Sequence, residues 1–253
     1  MINLKIEDEV LKDIDLIIFD KDGTLFELYP YWSTVAVKRA ELIYNSLGNK
    51  NTSLVEQIAL IMGADLKNKR MNPKGPIGIY NRTYIQNLIY DELKNKGYGI
   101  EREMVLNAFN QTDAYMKMHD VLLNSLVPIR GLIEFLNEIN GHCKCAIFSY
   151  DLTNNLKSIV EMFKIDGSFN LLLGGDRITH PKPDPWGAIK IMKELHVLPE
   201  NTAFIGDSAF DIESGKRAEC EFLITVVSDI SNLEVLKPMS NAVIEDFTKI
   251  KVC

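Results

Sequence analysis

Leu16-Ile17-Ile18-Phe19-Asp20-Lys21-Asp22-Gly23-Thr24-Leu25 sets the expectation for the whole chain. Four apolar residues run without a break into two acids one residue apart, and Gly-Thr then turns the chain. An unbroken apolar run of this length predicts a strand buried on both faces, the pattern of a parallel sheet. Ligands of such sheets bind just beyond the carboxyl ends of the strands, where Asp20 and Asp22 emerge. Two carboxylates so close repel each other, so the pair asks for a cation, a proton or a partner.

The chain as a whole is of ordinary globular composition, 46% hydrophobic and 25% charged over 253 residues. That length fits one large domain, or one domain with a sizeable insertion, and a core that needs no metal or disulfide to hold it. A net charge of -7 speaks against a nucleic-acid or anionic-membrane surface, since both require a basic face. It leaves a phosphorylated substrate open, because a local cation can meet that charge. Cys143, Cys145, Cys220 and Cys253 form no zinc or disulfide pattern, and ordinary packing in a reducing compartment is expected. Glu7, Asp8 and Glu9 stand where a basic signal region would be, and no apolar run reaches spanning length. The expectation is a cytoplasmic protein. The sequence says nothing of its oligomeric state.

Met1 to Asp15 reads as a polar lead-in or an extra edge element. After the first strand, the next comparable run is Cys145-Ala146-Ile147-Phe148-Ser149, far beyond the roughly 30 residues of a simple crossover unit. Something of domain size lies between. Trp32, Val35, Ala36, Ala40, Ile43 and Leu47 recur at helical spacing up to Gly48. A second helix carries Leu54, Ile58 and Ile61 after the capping side chains of Asn51-Thr52-Ser53. A loop is expected from Gly63 to Gly78, then helices through Arg82–Leu93 and Met104–Met116. Four helices without strands predict a small bundle, and Pro128 and Gly131 mark the return. From there strands and helices alternate through Ala203-Phe204-Ile205, Phe222 to Val227 and Ala242-Val243-Ile244. The fold class is therefore α/β, a doubly wound parallel, Rossmann-like sheet with an inserted α-helical domain. Residues 1–26 and 127–253 form the core, and 27–126 the insert.

Three more strand or helix ends carry polar groups that should converge on Asp20 and Asp22. They are Ser149 after Ala146-Ile147-Phe148, Lys182 in His180-Pro181-Lys182-Pro183-Asp184-Pro185, and Gly206-Asp207-Ser208-Ala209-Phe210-Asp211. With Asp20-Lys21-Asp22-Gly23-Thr24 they resemble, in order, the four motifs of the haloacid dehalogenase-like hydrolases, in the phosphoglycolate phosphatase-like branch. Each motif alone has a plain structural reading. Asp-x-Asp-Gly can be a turn, Asp207 and Asp211 a helix cap and first-turn acid, Lys182 a loop lysine, Ser149 a cap. It is the four together, in order, that carry the resemblance across most of the chain outside the insert.

The resemblance implies a Mg²⁺-dependent phosphatase acting on a small phosphomonoester through an aspartyl-phosphate. Asp20 would be the nucleophile and Asp22 the acid and base. Asp20, the Asp22 backbone carbonyl and Asp207 would be the metal ligands, since Mg²⁺ favours a few oxygen donors. Ser149 and Lys182 would bind the phosphoryl oxygens, and Asp211 would support the metal shell or orient Lys182. The insert would be a mobile helical cap that excludes water and chooses the substrate, with Lys74 and Arg82 contacting the leaving group. Asp22 speaks against a dehalogenase or a phosphonate-cleaving relative. The rival enzyme is a β-phosphoglucomutase-like phosphotransferase, and the rival of another class a non-catalytic binding protein on the same scaffold. Lys21 between the two acids is a departure, since that position is more usually apolar.

Overall fold

A computed structural model describes residues 1–48, 51–77 and 80–253. The chain divides into two compact units, Met1–Glu27 with Pro128–Cys253, and Leu28–Val127.

The first unit begins with β1 (Ile2–Ile6), β2 (Glu9–Ile14) and β3 (Leu16–Phe19). Every residue of β3 is fully buried, as its uninterrupted apolar run requires. The chain then leaves for the second unit. That unit holds α1 (Leu28–Ser46), α2 (Ser53–Ile61), β4 (Ala64–Asp65), β5 (Arg70–Met71), α3 (Arg82–Asn95), α4 (Arg102–Met116) and α5 (His119–Ser125). Back in the first unit follow α6 (Leu132–Ile139), β6 (Lys144–Phe148), α7 (Thr153–Met162), β7 (Leu171–Leu173) and α8 (Trp186–Leu195). Then come β8 (Thr202–Gly206), α9 (Ala209–Arg217), β9 (Phe222–Val226), α10 (Leu233–Leu236), β10 (Ala242–Ile244) and β11 (Ile250–Val252).

Six strands form one parallel sheet in the order β10-β9-β8-β3-β6-β7. The chain builds outward from β3 to β6 and β7, then crosses back to β8 on the other side of β3. The winding reverses there, and the crevice this opens beyond the ends of β3 and its neighbours is where such sheets bind ligands. Register confirms the convergence: Phe19 pairs with Ile147 of β6 and Ile205 of β8, so Asp20, Ser149 and Asp207 lie just past the same edge. Both faces are covered. Leu16 and Ile18 join Phe148, Phe204, Ile191 of α8 and Ile212 of α9 in one core. On the opposite face Phe19 packs against Phe169 and Phe247, and Phe247 stacks on Phe135 of α6 at 5.4 Å.

The N-terminal lead-in is not an edge of this sheet. β1 pairs antiparallel with β2 and with β11, a strand the sequence reading does not contain, in a separate three-stranded sheet. β11 is only three residues long and follows a short 3₁₀ turn, too little chain to show an alternating pattern.

The helical unit departs from the expected four helices without strands in two places. Within the stretch read as a loop, β4 and β5 pair as a two-stranded antiparallel hairpin, reversed around Lys69 in the left-handed region (φ 51°). Two-residue strands leave no period to read. Gly78, which closes that expected loop, lies outside the described residues. A fifth helix, α5, spans seven residues, less than two full turns of pattern. The bundle core is built from Val35, Ala36, Ala40 and Ile43 of α1, Leu54 and Ile58 of α2, Ile85 and Ile89 of α3, and Val105 and Phe109 of α4. Asn81 caps α3 by accepting from the Tyr84 N–H at 2.9 Å. Among the described residues, no helix is long and apolar enough to cross a membrane.

Candidate active site

Asp20 leaves β3 with its own N–H donating to the Ile205 carbonyl of β8 at 2.9 Å, which fixes where its side chain starts. The buried Lys182 ammonium donates to Asp20 Oδ1 at 2.6 Å and to Asp211 Oδ1 at 2.7 Å. Asp207 completes the cluster: one carboxylate oxygen from each of Asp20, Asp207 and Asp211 lies within 4.8 Å of the others. Residues 162 and 29 positions apart are thus joined through one lysine.

Asp207 is held from behind. Ser228 Oγ donates to Asp207 Oδ2 at 2.6 Å, and Ser231 Oγ donates to the Asp207 carbonyl at 2.7 Å. Gly23 makes room for it: at φ +83° this position suits glycine, and a Cβ there would stand 2.1 Å from Asp207 Oδ2. Asp211 has two tasks. Its Oδ2 accepts from the Ser208 N–H and hydroxyl while Ser208 accepts from the Asp211 N–H, a capping box that starts α9. The plain reading of Asp211 as a first-turn acid is therefore also true, and its other oxygen takes Lys182.

Burial sets the electrostatics. It pushes Asp20 up to about 7, with Lys182 opposing and Asp211 and Asp22 adding to the rise. Burial likewise pushes Asp207 well above the ordinary carboxylate range, and Asp211 and Asp20 add to it. For Lys182, burial works against the charge, but Asp20 and Asp211 outweigh it and hold the ammonium above its usual value. Three buried carboxylates face one ammonium, and the acids are left short of positive charge. A compact set of hard oxygen donors short of positive charge fits a divalent cation of the Mg²⁺ type.

Ser149 is buried one residue past β6; its N–H donates to the Leu173 carbonyl at 3.1 Å and its Oγ accepts from the Asp151 N–H at 3.2 Å. Asp22 is not part of the Lys182 cluster's hydrogen bonds; its Oδ1 accepts from Lys21 Nζ at 2.7 Å. The two residues of the insert stand in the other unit. Arg82 donates to Asp113 Oδ2 at 2.5 Å and Asn110 Oδ1 at 2.8 Å, and Lys74 is exposed in the turn after β5. Ser228 and Ser231 carry no motif in the sequence, although the rule that polar groups past strand ends line the site applies to them: Ser228 stands two residues after β9.

A family model of haloacid dehalogenase-like hydrolases matches residues 14–219, a span that takes in Asp20, Asp22, Ser149, Lys182, Asp207 and Asp211. The chain is 37% identical over 75 residues to a phosphoglycolate phosphatase of Aquifex aeolicus, covering 30% of this chain and 35% of that one. It is 26% identical over 206 residues to phosphoglycolate phosphatase 1 of Pseudomonas aeruginosa, covering 80% of this chain and 66% of the relative. The matched stretches thus span less than two thirds of these relatives' lengths. A Thermotoga maritima structure described as a candidate β-phosphoglucomutase superposes with a TM-score of 0.69 at 18% identity, over 93% of this chain and 96% of that one. At that identity the likeness is one of fold.

Proposed function

The chain belongs to the haloacid dehalogenase-like hydrolase family, and on that footing we propose that it hydrolyses a small phosphomonoester through an aspartyl-phosphate on Asp20. The observation that carries the reading is the Lys182 ammonium bonded to both Asp20 and Asp211 beside Asp207. Uncatalysed phosphate-monoester hydrolysis is among the slowest reactions known, and covalent catalysis divides it into two easier steps. With Oδ1 of Asp20 accepting from Lys182, Oδ2 is left to attack phosphorus. Lys182 orients the nucleophile and offers positive charge to the phosphoryl oxygens as it transfers. Ser149 supplies a hydroxyl at the same edge. Asp22 gives a proton to the departing oxygen and later takes one from the attacking water.

Asp20, Asp207 and the Asp22 backbone carbonyl are the proposed ligands of Mg²⁺, with Asp211 supporting from behind. The metal would offset the repulsion between a carboxylate and a phosphate dianion. The helical unit is assigned the task of choosing the substrate, with Lys74 and Arg82 as leaving-group contacts. The Aquifex and Pseudomonas relatives are named phosphoglycolate phosphatases, which puts phosphoglycolate first among the candidates for a cytoplasmic enzyme of this kind.

The test is phosphate release from phosphoglycolate, sugar phosphates and nucleotides, with Mg²⁺ and with EDTA. Asp20→Asn should abolish release, a loss of about a thousandfold or more, while the protein stays folded. Metal-independent release, or release by Asp20→Asn at the wild-type rate, would sink the reading. Isomerisation of a sugar phosphate without net release would move it to the mutase class.

A further inference from the structure

We propose that Lys21 is a positioning residue for Asp22, bracing the proton donor's carboxylate against Asp151; the inference rests on the phosphatase reading above. Lys21 stands between the two acids of the first motif with its side chain only 1% exposed. An ammonium is rarely buried that deeply unless acids surround it. Here its Nζ lies 2.7 Å from Asp22 Oδ1 and 3.4 Å from Asp151 Oδ2.

Both ends of this brace are anchored. Asp151 Oδ1 accepts from the Leu152 N–H at 2.8 Å and from Asn155 Nδ2 at 2.7 Å, and its own N–H donates to Ser149 Oγ. The Lys21 carbonyl accepts from the N–H groups of Leu25 and Phe26 at 2.9 and 3.1 Å, which pins the loop that carries Asp22. Since β3 and β6 are neighbours, Lys21 ties the end of one strand to the loop beyond the other. Asp22 keeps a quarter of its side chain exposed.

The consequence is a choice of oxygen. With Oδ1 accepting from Lys21, Oδ2 is the one left to carry the proton. In the transfer step the Asp20 Oδ2–P bond forms as the P–O bond to the leaving group breaks, and the Asp22 Oδ2 proton moves to the departing oxygen. Lys21 stays protonated and does not enter the balance. A carboxyl no longer held in place hurts an alkoxide, which needs that proton, more than p-nitrophenolate, which departs without it.

The experiment is a double-mutant cycle. Values of kcat/KM are measured for phosphoglycolate, or the best alkyl phosphate of the panel, and for p-nitrophenyl phosphate. The proteins are wild type, Lys21→Met, Asp22→Asn and the double variant. Lys21→Met should lower the alkyl-to-aryl ratio about tenfold, a fraction of what general acid catalysis provides. In the Asp22→Asn background it should cost less than about twofold on the alkyl phosphate, because its effect passes through Asp22. Equal losses on both substrates, a ratio that rises, or the same loss in both backgrounds would overturn the proposal. If Lys21→Met does not fold, Asp151→Asn, which removes the far anchor, should shift the ratio in the same direction, and an unchanged ratio overturns it. Asp20→Asn separates the two levels: activity surviving there fails the parent reading, whereas an inactive Asp20→Asn beside an additive cycle fails only this one.

Discussion

The two units set cations beside acids in opposite proportions. In the parallel-sheet unit, the ammonium of Lys182 pairs with Asp20 and Asp211, and Asp207 joins them in a cluster of three carboxylates. In the helical unit, Arg39 and Arg82 both approach the carboxylate of Asp113, at 3.8 and 2.5 Å. Phe109 closes that second cluster: the guanidinium carbons lie 3.8 Å (Arg39) and 5.1 Å (Arg82) from its ring centroid, so the ring face takes up charge the lone acid does not. Burial, with Asp113 opposing, still pulls Arg39 down to about 10. The sheet cluster is not balanced in this way: Lys182 pairs with Asp20 and Asp211, and burial still raises Asp20 and Asp207. The difference teaches what each is for. A charge excess that packing absorbs is architecture, and one left open past the end of a central strand is a place for a ligand.

Lys182→Met is the strongest way to break this contrast. It removes the ammonium and leaves Asp20, Asp207 and Asp211 buried together. Phosphate release should fall at least about a hundredfold, the scale of a lost electrostatic stabiliser. Stability of the metal-free protein at neutral pH should drop by about 3–5 kcal/mol, because removing one partner strands buried charge. Thermal melting in EDTA at pH 7.5 and pH 5.5 checks it, and the deficit should shrink at the lower pH as the acids take protons. An unchanged melting temperature would mean that Lys182 does not hold these acids together.

A milder test leaves the sequence intact. Asp20 is raised from an ordinary 3.8 to about 7 by burial, and Asp207 is raised in the same direction. A carboxyl with a raised folded pKa contributes stability that is fully present below its unfolded value and lost as pH rises through the folded one. The protein in EDTA should therefore melt several degrees lower at pH 8 than at pH 5.5, on the order of 1–2 kcal/mol of lost stability. Mg²⁺ should flatten that slope. Asp65 and Asp176, lowered by their hydrogen bonds to Asn68 and Thr153, act in the opposite sense only at pH values below the ordinary carboxylate range, outside this window. A melting temperature that rises from pH 5.5 to pH 8 in EDTA would remove the charge-excess account of the site.

The same contrast explains what the sequence disclosed. Leu16–Phe19 announced a central strand because parallel sheets bury both faces, and the four polar strand or helix ends announced the cluster because topology brings strand ends to one edge. The tie of Lys182 to Asp20 and Asp211 was legible from that topology together with the motif resemblance, not from spacing. What escaped was short or relational. β4, β5, β11 and α5 are too brief to show a period. The Lys21–Asp151 brace and the Ser228 bond to Asp207 join residues whose types carry no signal until the fold brings them together. Arg39 read as one polar residue within an amphipathic helix, and nothing in the sequence marks the ring of Phe109 as its partner.

The smallest expected effect bears on the helical unit. Arg82 has two of its nitrogens engaged by Asp113 and Asn110, which leaves further N–H donors of the guanidinium fork for a substrate. As a structural ion pair with both partners more than a third exposed, it is worth about 1 kcal/mol or less after solvent screening. Arg82→Ala should thus cost little stability, while as a leaving-group contact it should raise KM about tenfold with kcat nearly unchanged, the signature of lost uniform binding. Lys74→Ala should do the same more weakly, since its flexible stem holds a point charge where Arg82 offers a fixed fork. Should both variants keep the wild-type KM on the best substrate, Arg82 belongs with Arg39 and Phe109 as packing. Substrate choice would then have to be sought in other residues of the helical unit.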